Sequence, residues 1–205
     1  MIKKRLSAEE RRASILALSK GLFAQFGLHG VSVGTIAKAC NVYPAVIYQH
    51  FPSKEALYEA VLNEYACKRE EYIDVILSGP SDFANVLFRM TQVYVKSRLV
   101  DPDAIRIELH SALYDNKSTE SLFINQWKGF TDYIEFSLEE MIDEKEIPES
   151  DIRLAGLLYT GLLREFIYTM GISREKHYSD INIDYATKEL VNMFLRAVGI
   201  KPLNW

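Results

Sequence analysis

The stretch Val31 to Leu62, VSVGTIAKACNVYPAVIYQHFPSKEALYEAVL, constrains the fold more than any other part of the chain. Ser32 can cap a helix in which Val33, Ile36, Ala37 and Cys40 recur at helical spacing, so that face turns inward and Gly34, Thr35 and Lys38 look outward. Asn41 suits a chain reversal, because Asn tolerates left-handed backbone better than most residues other than Gly. Pro44 stands at the first position of a second helix, where its fixed φ helps and its missing N–H costs nothing. That helix is short, Pro44 to His50, with Val42, Ile47 and Phe51 facing in. Ser53 then caps a third, longer helix that begins at Lys54. Two helices joined by so tight a turn form a helix-turn-helix over residues 32–51, a motif whose second helix can enter the major groove of DNA.

Charge supports that reading. Residues 1–52 carry seven basic side chains (Lys3, Lys4, Arg5, Arg11, Arg12, Lys20, Lys38) against Glu9 and Glu10, a balance of +5, which leaves −9 for the remainder of a chain whose net charge is −4. A basic segment that coincides with a helix-turn-helix is the footprint expected where phosphate contacts supply affinity. The N-terminus MIKKRLSAEERR lacks an apolar signal core, and no apolar run reaches the roughly 18 residues that span a membrane. A cytoplasmic location is expected. Cys40 and Cys67 are too few for a disulfide framework and read as structural thiols.

With only 6 Pro and 10 Gly, and apolar residues at helical intervals, the chain reads as all-α with nine helices. Ser7 caps a first helix from Ala8 to Phe26, striped by Ile15, Leu16, Leu18, Leu22, Phe23 and Phe26 and ended by Gly27. The helix from Lys54 runs unbroken to Ser78-Gly79-Pro80. Others follow over residues 82–99, 101–114, 119–145, 149–170 and 184–198, punctuated by Pro102, Pro148, Gly171 and Gly199. This predicts a helix-turn-helix domain over residues 1–53 and a larger helical domain over residues 54–205. Small residues Ala155, Gly156, Thr160 and Gly161 permit close helix approach. Together with Ala186, Leu190, Phe194, Leu195 and Val198 of the last helix they could form a self-complementary face, and an isologous two-fold dimer is the commonest oligomer.

Catalytic and metal chemistry find little support. His29, His50, His110 and His177 are scattered, and Glu108 and His110, two apart on a helix, point away from each other. Glu135, Glu139 and Glu140 read as a solvated face. There is no Gly-rich phosphate loop, thiol cluster or nucleophile elbow, so neither an enzyme nor a cofactor is expected.

The run Ser32-Val33, Ile36-Ala37, Val42, Ile47-Tyr48, His50-Phe51 and Ser53-Lys54-Glu55-Ala56-Leu57, preceded by Arg12-Ile15-Leu16 and Leu22-Phe23-Phe26-Gly27, resembles the N-terminal domain of the TetR family of bacterial transcriptional regulators. The resemblance covers the first third of the chain. It implies a DNA-binding regulator, a repressor released from its operator by a small ligand, dimerising through its last two helices as a four-helix bundle. Carried over by position, it puts Ser32, Val33, Gly34 and Thr35 near the DNA backbone. Tyr43, Pro44, Ala45, Val46, Tyr48, Gln49 and His50 fall on or beside the recognition helix. Tyr48, His50 and Lys54 are expected to donate to phosphates, and Gln49 to read adenine through its amide. The chain departs from the family pattern at Gly34, Tyr43, Pro44 and Val46, which removes polar donors and shifts weight to the basic arm. An apolar or aromatic effector is expected among Arg106, His110, Tyr114, Trp127, Phe130, Tyr133, Tyr159 and Arg164, bulky aromatics or polar groups on helices that should line a central cavity. The reading from a different class is a helical-bundle ligand-binding protein or enzyme in which the helix-turn-helix is a relic.

Overall fold

The computed structural model describes residues 6–67, 77–113, 117–173 and 175–204, and within these the chain is all helical. Among the described residues nine α-helices follow in order: α1 Ala8–Gly30, α2 Val33–Ala39, α3 Pro44–His50, α4 Lys54–Cys67, α5 Phe83–Val100, α6 Asp103–Leu113, α7 Lys117–Asp143, α8 Ile152–Ile167 and α9 Ile183–Ala197. A π-helical turn, Tyr168–Ser173, continues α8, and a 3-10 turn covers Lys176–Tyr178. The expected continuation of α4 toward Ser78 and the candidate Tyr114 lie outside the described residues, as do Lys3, Lys4 and Arg5 of the basic arm.

The chain divides into two compact units, Met1–Lys68 with Asp103–Leu122 and Arg69–Pro102 with Phe123–Trp205. The first is larger than a domain closed at residue 53, because α1 packs against both α4 and α6. Its core is Ile15, Phe23, Ile36, Ile47, Leu57, Val61 and Ile107, with the Phe23 and Tyr58 rings edge to face at 4.9 Å. Helix α1 opens with a complete capping box: Ser7 Oγ accepts from Glu10 N–H, and the Glu10 carboxylate accepts from Ser7 N–H at 2.7 Å. Its inner face is Ile15, Leu16, Ser19, Phe23 and Ala24, whereas Leu18 and Phe26 of the expected stripe are exposed, since the buried arc follows steps of four from Ile15. Gly27 breaks the helix as expected, at φ 68 and ψ 175, although helical hydrogen bonding resumes through Gly30.

The second unit is built from α5, α7 from Phe123 onward, α8 and α9, with α5 contacting α8 and α9. Helix α5 buries Phe83, Leu87, Thr91, Tyr94, Val95 and Arg98, and α7 buries Trp127, Phe130, Ile134 and Leu138 at three- and four-residue steps. Tyr159 of α8 is fully buried, and its hydroxyl donates to Thr91 Oγ1, which itself donates to the carbonyl of Leu87 at 2.7 Å. Desolvation pushes the Tyr159 phenol well above its ordinary pKa, the Thr91 hydrogen bond only partly offsetting it. No helix among the described residues is long and apolar enough to cross a membrane.

Candidate nucleic-acid interface and candidate ligand site

The helix-turn-helix is locally determined. Ser32 Oγ accepts from the N–H of Thr35 at 3.0 Å and shares a 2.8 Å hydrogen bond with its hydroxyl, which fixes the start of α2. The turn closes through Cys40 N–H to Ile36 O, Asn41 N–H to Lys38 O and Val42 N–H to Ala37 O, with Asn41 at φ 52 as its residue type suggests. Pro44 occupies the first turn of α3, and Ile47 is that helix's one buried residue. Burial pushes the Cys40 thiol pKa up, partly countered by the nearby charge of Arg11.

The opposite side of α3 is bare. Tyr43 is 82% exposed and Tyr48 54%, and Pro44, Ala45 and Gln49 are exposed beside them. Ser32, Gly34 and Thr35 are exposed on α2, while Val33, Val46 and His50 are half-buried. Eleven of the twelve candidate DNA contacts therefore lie on or around two short helices with outward access for most. Lys54 is different. Its ammonium donates to the carbonyl oxygens of Leu28 at 2.8 Å and Val31 at 3.0 Å, so two of its three donors are committed to the end of α1. The expected phosphate donor is first a positioning residue. A second fastener, not foreseen from the sequence, is Arg12, whose guanidinium sits 4.8 Å over the ring of Phe51 just past α3.

The candidate ligand residues separate. Arg106 and His110 lie on α6 in the first unit. Arg106 is paired with Asp103 at 2.8 Å on its own helix. His110 stands against Gly27, where an added Cβ would come within 3.1 Å of Nδ1, and that buried nitrogen has no hydrogen-bond partner among the described residues. In the second unit Trp127, Phe130 and Tyr159 do come together, with Tyr94 and Phe194, into one aromatic cluster. Ring centroids stand at 5.1 Å for Tyr94–Trp127, 5.6 Å for Tyr94–Phe130, 6.3 Å for Phe130–Tyr159 and 4.6 Å for Tyr159–Phe194. Arg164 places its guanidinium 4.9 Å over Trp127. Tyr133 is half-buried and stacks instead on Phe83 at 5.6 Å, and desolvation raises its phenol pKa.

Sequence reasoning missed Tyr94 as a site residue and Arg98 altogether. Arg98 is 6% exposed, its guanidinium lies 4.9 Å over the Tyr94 ring, and its Nε has no hydrogen-bond partner among the described residues. The signal was present: Arg98 continues the inward series Leu87, Thr91, Tyr94 on α5 in helical steps, where a charge is unusual.

The small-residue face of α8 also differs from expectation. Ala155, Gly156 and Thr160 are buried within the unit, Gly156 close to Thr131 and Glu135 of α7, and Phe194, Leu195 and Val198 of α9 are buried too. The large apolar residues that α8 leaves exposed are Leu154, Leu157, Leu158 and Leu162, beside Gly161, which has open space around it, with Arg153, Arg164 and Glu165 exposed on the same helix.

Comparison with known proteins follows this geometry. Residues 15–61, from the core of α1 through the first half of α4, match the profile of bacterial regulatory proteins of the tetR family. The HTH-type transcriptional regulator UidR of Escherichia coli (strain K12) is 38% identical over 55 residues, which are 27% of this chain and 28% of that protein. The aligned segment thus spans less than a third of the length of that curated relative. Two solved structures share the fold more widely. The putative fatty acid metabolism regulator of Clostridium perfringens superposes with a TM-score of 0.70 at 23% identity, covering 92% of this chain and all of that one. The structure of AibR in complex with isovaleryl coenzyme A and operator DNA superposes with a TM-score of 0.69 at 19% identity, covering 90% of this chain and 97% of that one. The matched segment, residues 15–61, is the helix-turn-helix itself, which is similar to that of the tetR family of bacterial regulatory proteins, and the fold that carries it is shared by these solved structures through the rest of the chain.

Proposed function

We propose that the protein is a homodimeric, DNA-binding transcriptional regulator, a repressor released from its operator by a small ligand, acting in the cytoplasm and performing no catalysis. The observation that carries the reading is the bare outer side of α3, where Tyr43, Ala45, Tyr48 and Gln49 are exposed while Ile47 alone anchors the helix. A phenol and a carboxamide on one short helix suit phosphate and base-edge contacts in a major groove. Ser32, Val33, Gly34 and Thr35 lie along the flanking backbone in this reading, Pro44 and Val46 pack against the groove wall, and His50 donates to phosphate. Residues 1–53 supply the reading head and residues 54–205 bind the effector and the second subunit.

The exposed leucines of α8 support the dimer. A cluster of exposed leucines is ordinarily covered by a partner, and α8 already covers its other face with its own unit. The occupant of the other is a second copy of α8 and α9, with Met193 and Tyr185 exposed on the latter. For the ligand, the aromatic cluster of Trp127, Phe130 and Tyr159 is the best-supported place, with Arg164 at its side and Tyr133 on α7, the helix of Trp127 and Phe130. AibR was solved holding both an acyl thioester and its operator, and release here would follow from an effector that prefers one of two dimer geometries.

Fluorescence anisotropy of the purified protein on mixed-sequence duplex DNA tests the reading. Retention at low salt that falls steeply with added salt is expected, and weakened retention in Tyr48→Phe with Gln49→Ala. A protein that holds no duplex even at low salt would refute it.

A further inference from the structure

Among the described residues of the second unit, Arg98 is a buried charge whose Nε has no hydrogen-bond partner. Its helix sends it inward at the position where Leu87, Thr91 and Tyr94 face the core, and it is 6% exposed. Among the described residues no carboxylate pairs with it, its Nε is buried without an acceptor, and its guanidinium rests on the face of Tyr94 at 4.9 Å. Buried guanidinium groups are ordinarily paired and hydrogen-bonded, because an aromatic face replaces only part of the hydration lost.

We propose that Arg98 receives the anionic group of the ligand, and that the ligand is a small organic carboxylate with an apolar or aromatic body. This rests on the reading of the second unit as the effector domain. The planar fork of N–H donors accepts a carboxylate side by side, two bonds at once, which a neutral ligand cannot supply. The rings next to it suit the rest of such a molecule. Tyr94 links Arg98 to Trp127 and Phe130 at 5.1 and 5.6 Å, and Phe130 leads on to Tyr159. Arg164 over Trp127 adds a second positive charge to the same cluster, so the whole surface favours an anion over a cation. The carboxylate fixes orientation at Arg98, and the aromatic rings discriminate the body by shape.

Two matched pairs of probes test this: decanoate against 1-decanol, and phenylacetate against 2-phenylethanol. Binding is read from Trp127 emission in a Trp205→Phe background and from the melting temperature, without DNA. The expected result is that at least one carboxylate binds roughly tenfold or more tightly than its alcohol, the difference a charge-assisted bidentate contact makes. The preference disappears in Arg98→Met and is partly kept in Arg98→Lys. The ligand-free melting temperature of Arg98→Met is unchanged or higher, because an unpaired buried charge has been removed. Equal binding of acid and alcohol in both pairs, a preference that survives Arg98→Met, or a large fall in ligand-free stability of that variant would each overturn the inference. Duplex retention measured on the same preparations without probe separates the two readings. A protein that holds DNA and ignores both acids refutes the ligand class alone, and one that binds acid through Arg98 but no duplex refutes the regulator alone.

Discussion

The ammonium of Lys54 donates to the carbonyl oxygen of Leu28 at 2.8 Å, joining the start of α4 to the end of α1 across 26 residues of sequence. Val31 accepts a second bond at 3.0 Å, so one side chain satisfies two carbonyls that helix termination leaves without partners. The platform that carries α2 and α3 is thus tied at both edges, by Lys54 on one side and by Arg12 over Phe51 on the other.

Lys54→Met keeps the aliphatic stem and removes both bonds. It lowers stability by about 1.5–3 kcal/mol, the range for hydrogen bonds to a charged group, read by urea denaturation of the ligand-free protein. Lys54→Arg recovers part of the loss. An unchanged midpoint for Lys54→Met would assign Lys54 to DNA contact alone.

Gly27→Ala meets two obstacles. The backbone sits at φ 68, and the new methyl would lie 3.1 Å from His110 Nδ1. A cost of about 1–3 kcal/mol is expected from the backbone conformation alone. Adding His110→Ala relieves the contact but not the conformation, so the double variant recovers only part of the loss, and complete recovery would show that the contact dominates.

The helices were legible because their punctuation is local: Ser7, Ser32, Asp82 and Asn182 all cap where their side chains could reach the third N–H onward. Asn41, Pro44 and Gly199 likewise act through their own backbone. The bare face of α3 could be read for the same reason, since a seven-residue helix with one buried residue leaves little choice. What the sequence hid was tertiary. Nothing local distinguishes Lys54 bonded to carbonyls 26 and 23 positions earlier from a solvent-exposed lysine. Arg98 stands in the inward helical series of α5, but that its guanidinium lies over Tyr94 depends on packing that the sequence does not show. The small residues of α8 were rightly noticed, but whether they face a partner or their own α7 depends on the rotation of one helix, and Gly156 lies against Thr131 and Glu135.

Alkaline pH should erode stability through two buried phenols. Desolvation lifts Tyr58 from 10.0 to about 12 and lifts Tyr159 further. Both pKa values are raised in the folded state, so the folded state holds the protons longer. Their contribution is intact below pH 10 and declines as pH rises through 10 toward and beyond 12. A denaturation series from neutral to strongly alkaline pH should be flat at first and then fall, and Tyr58→Phe should shallow the fall. A fall that Tyr58→Phe leaves unaltered would contradict this.

The exposed leucines of α8 make a direct demand on assembly. Leu157 is 64% exposed and Leu158 57%, so Leu157→Glu with Leu158→Glu leaves the folded chain intact while placing charge in the proposed seam. Light scattering should report a dimer for the parent and a monomer for the variant, with unchanged far-ultraviolet dichroism. A variant that remains dimeric would move the interface elsewhere.

The most direct test of the central claim is selection from a pool of random duplexes, sequencing what the protein retains, repeated with Tyr48→Phe and Gln49→Ala combined. The account predicts a two-fold symmetric site whose half-sites lie about one helical turn apart, roughly 34–36 Å, with enrichment lost in the double variant. Retained duplexes without a common sequence, or a common sequence indifferent to Tyr48 and Gln49, would contradict it.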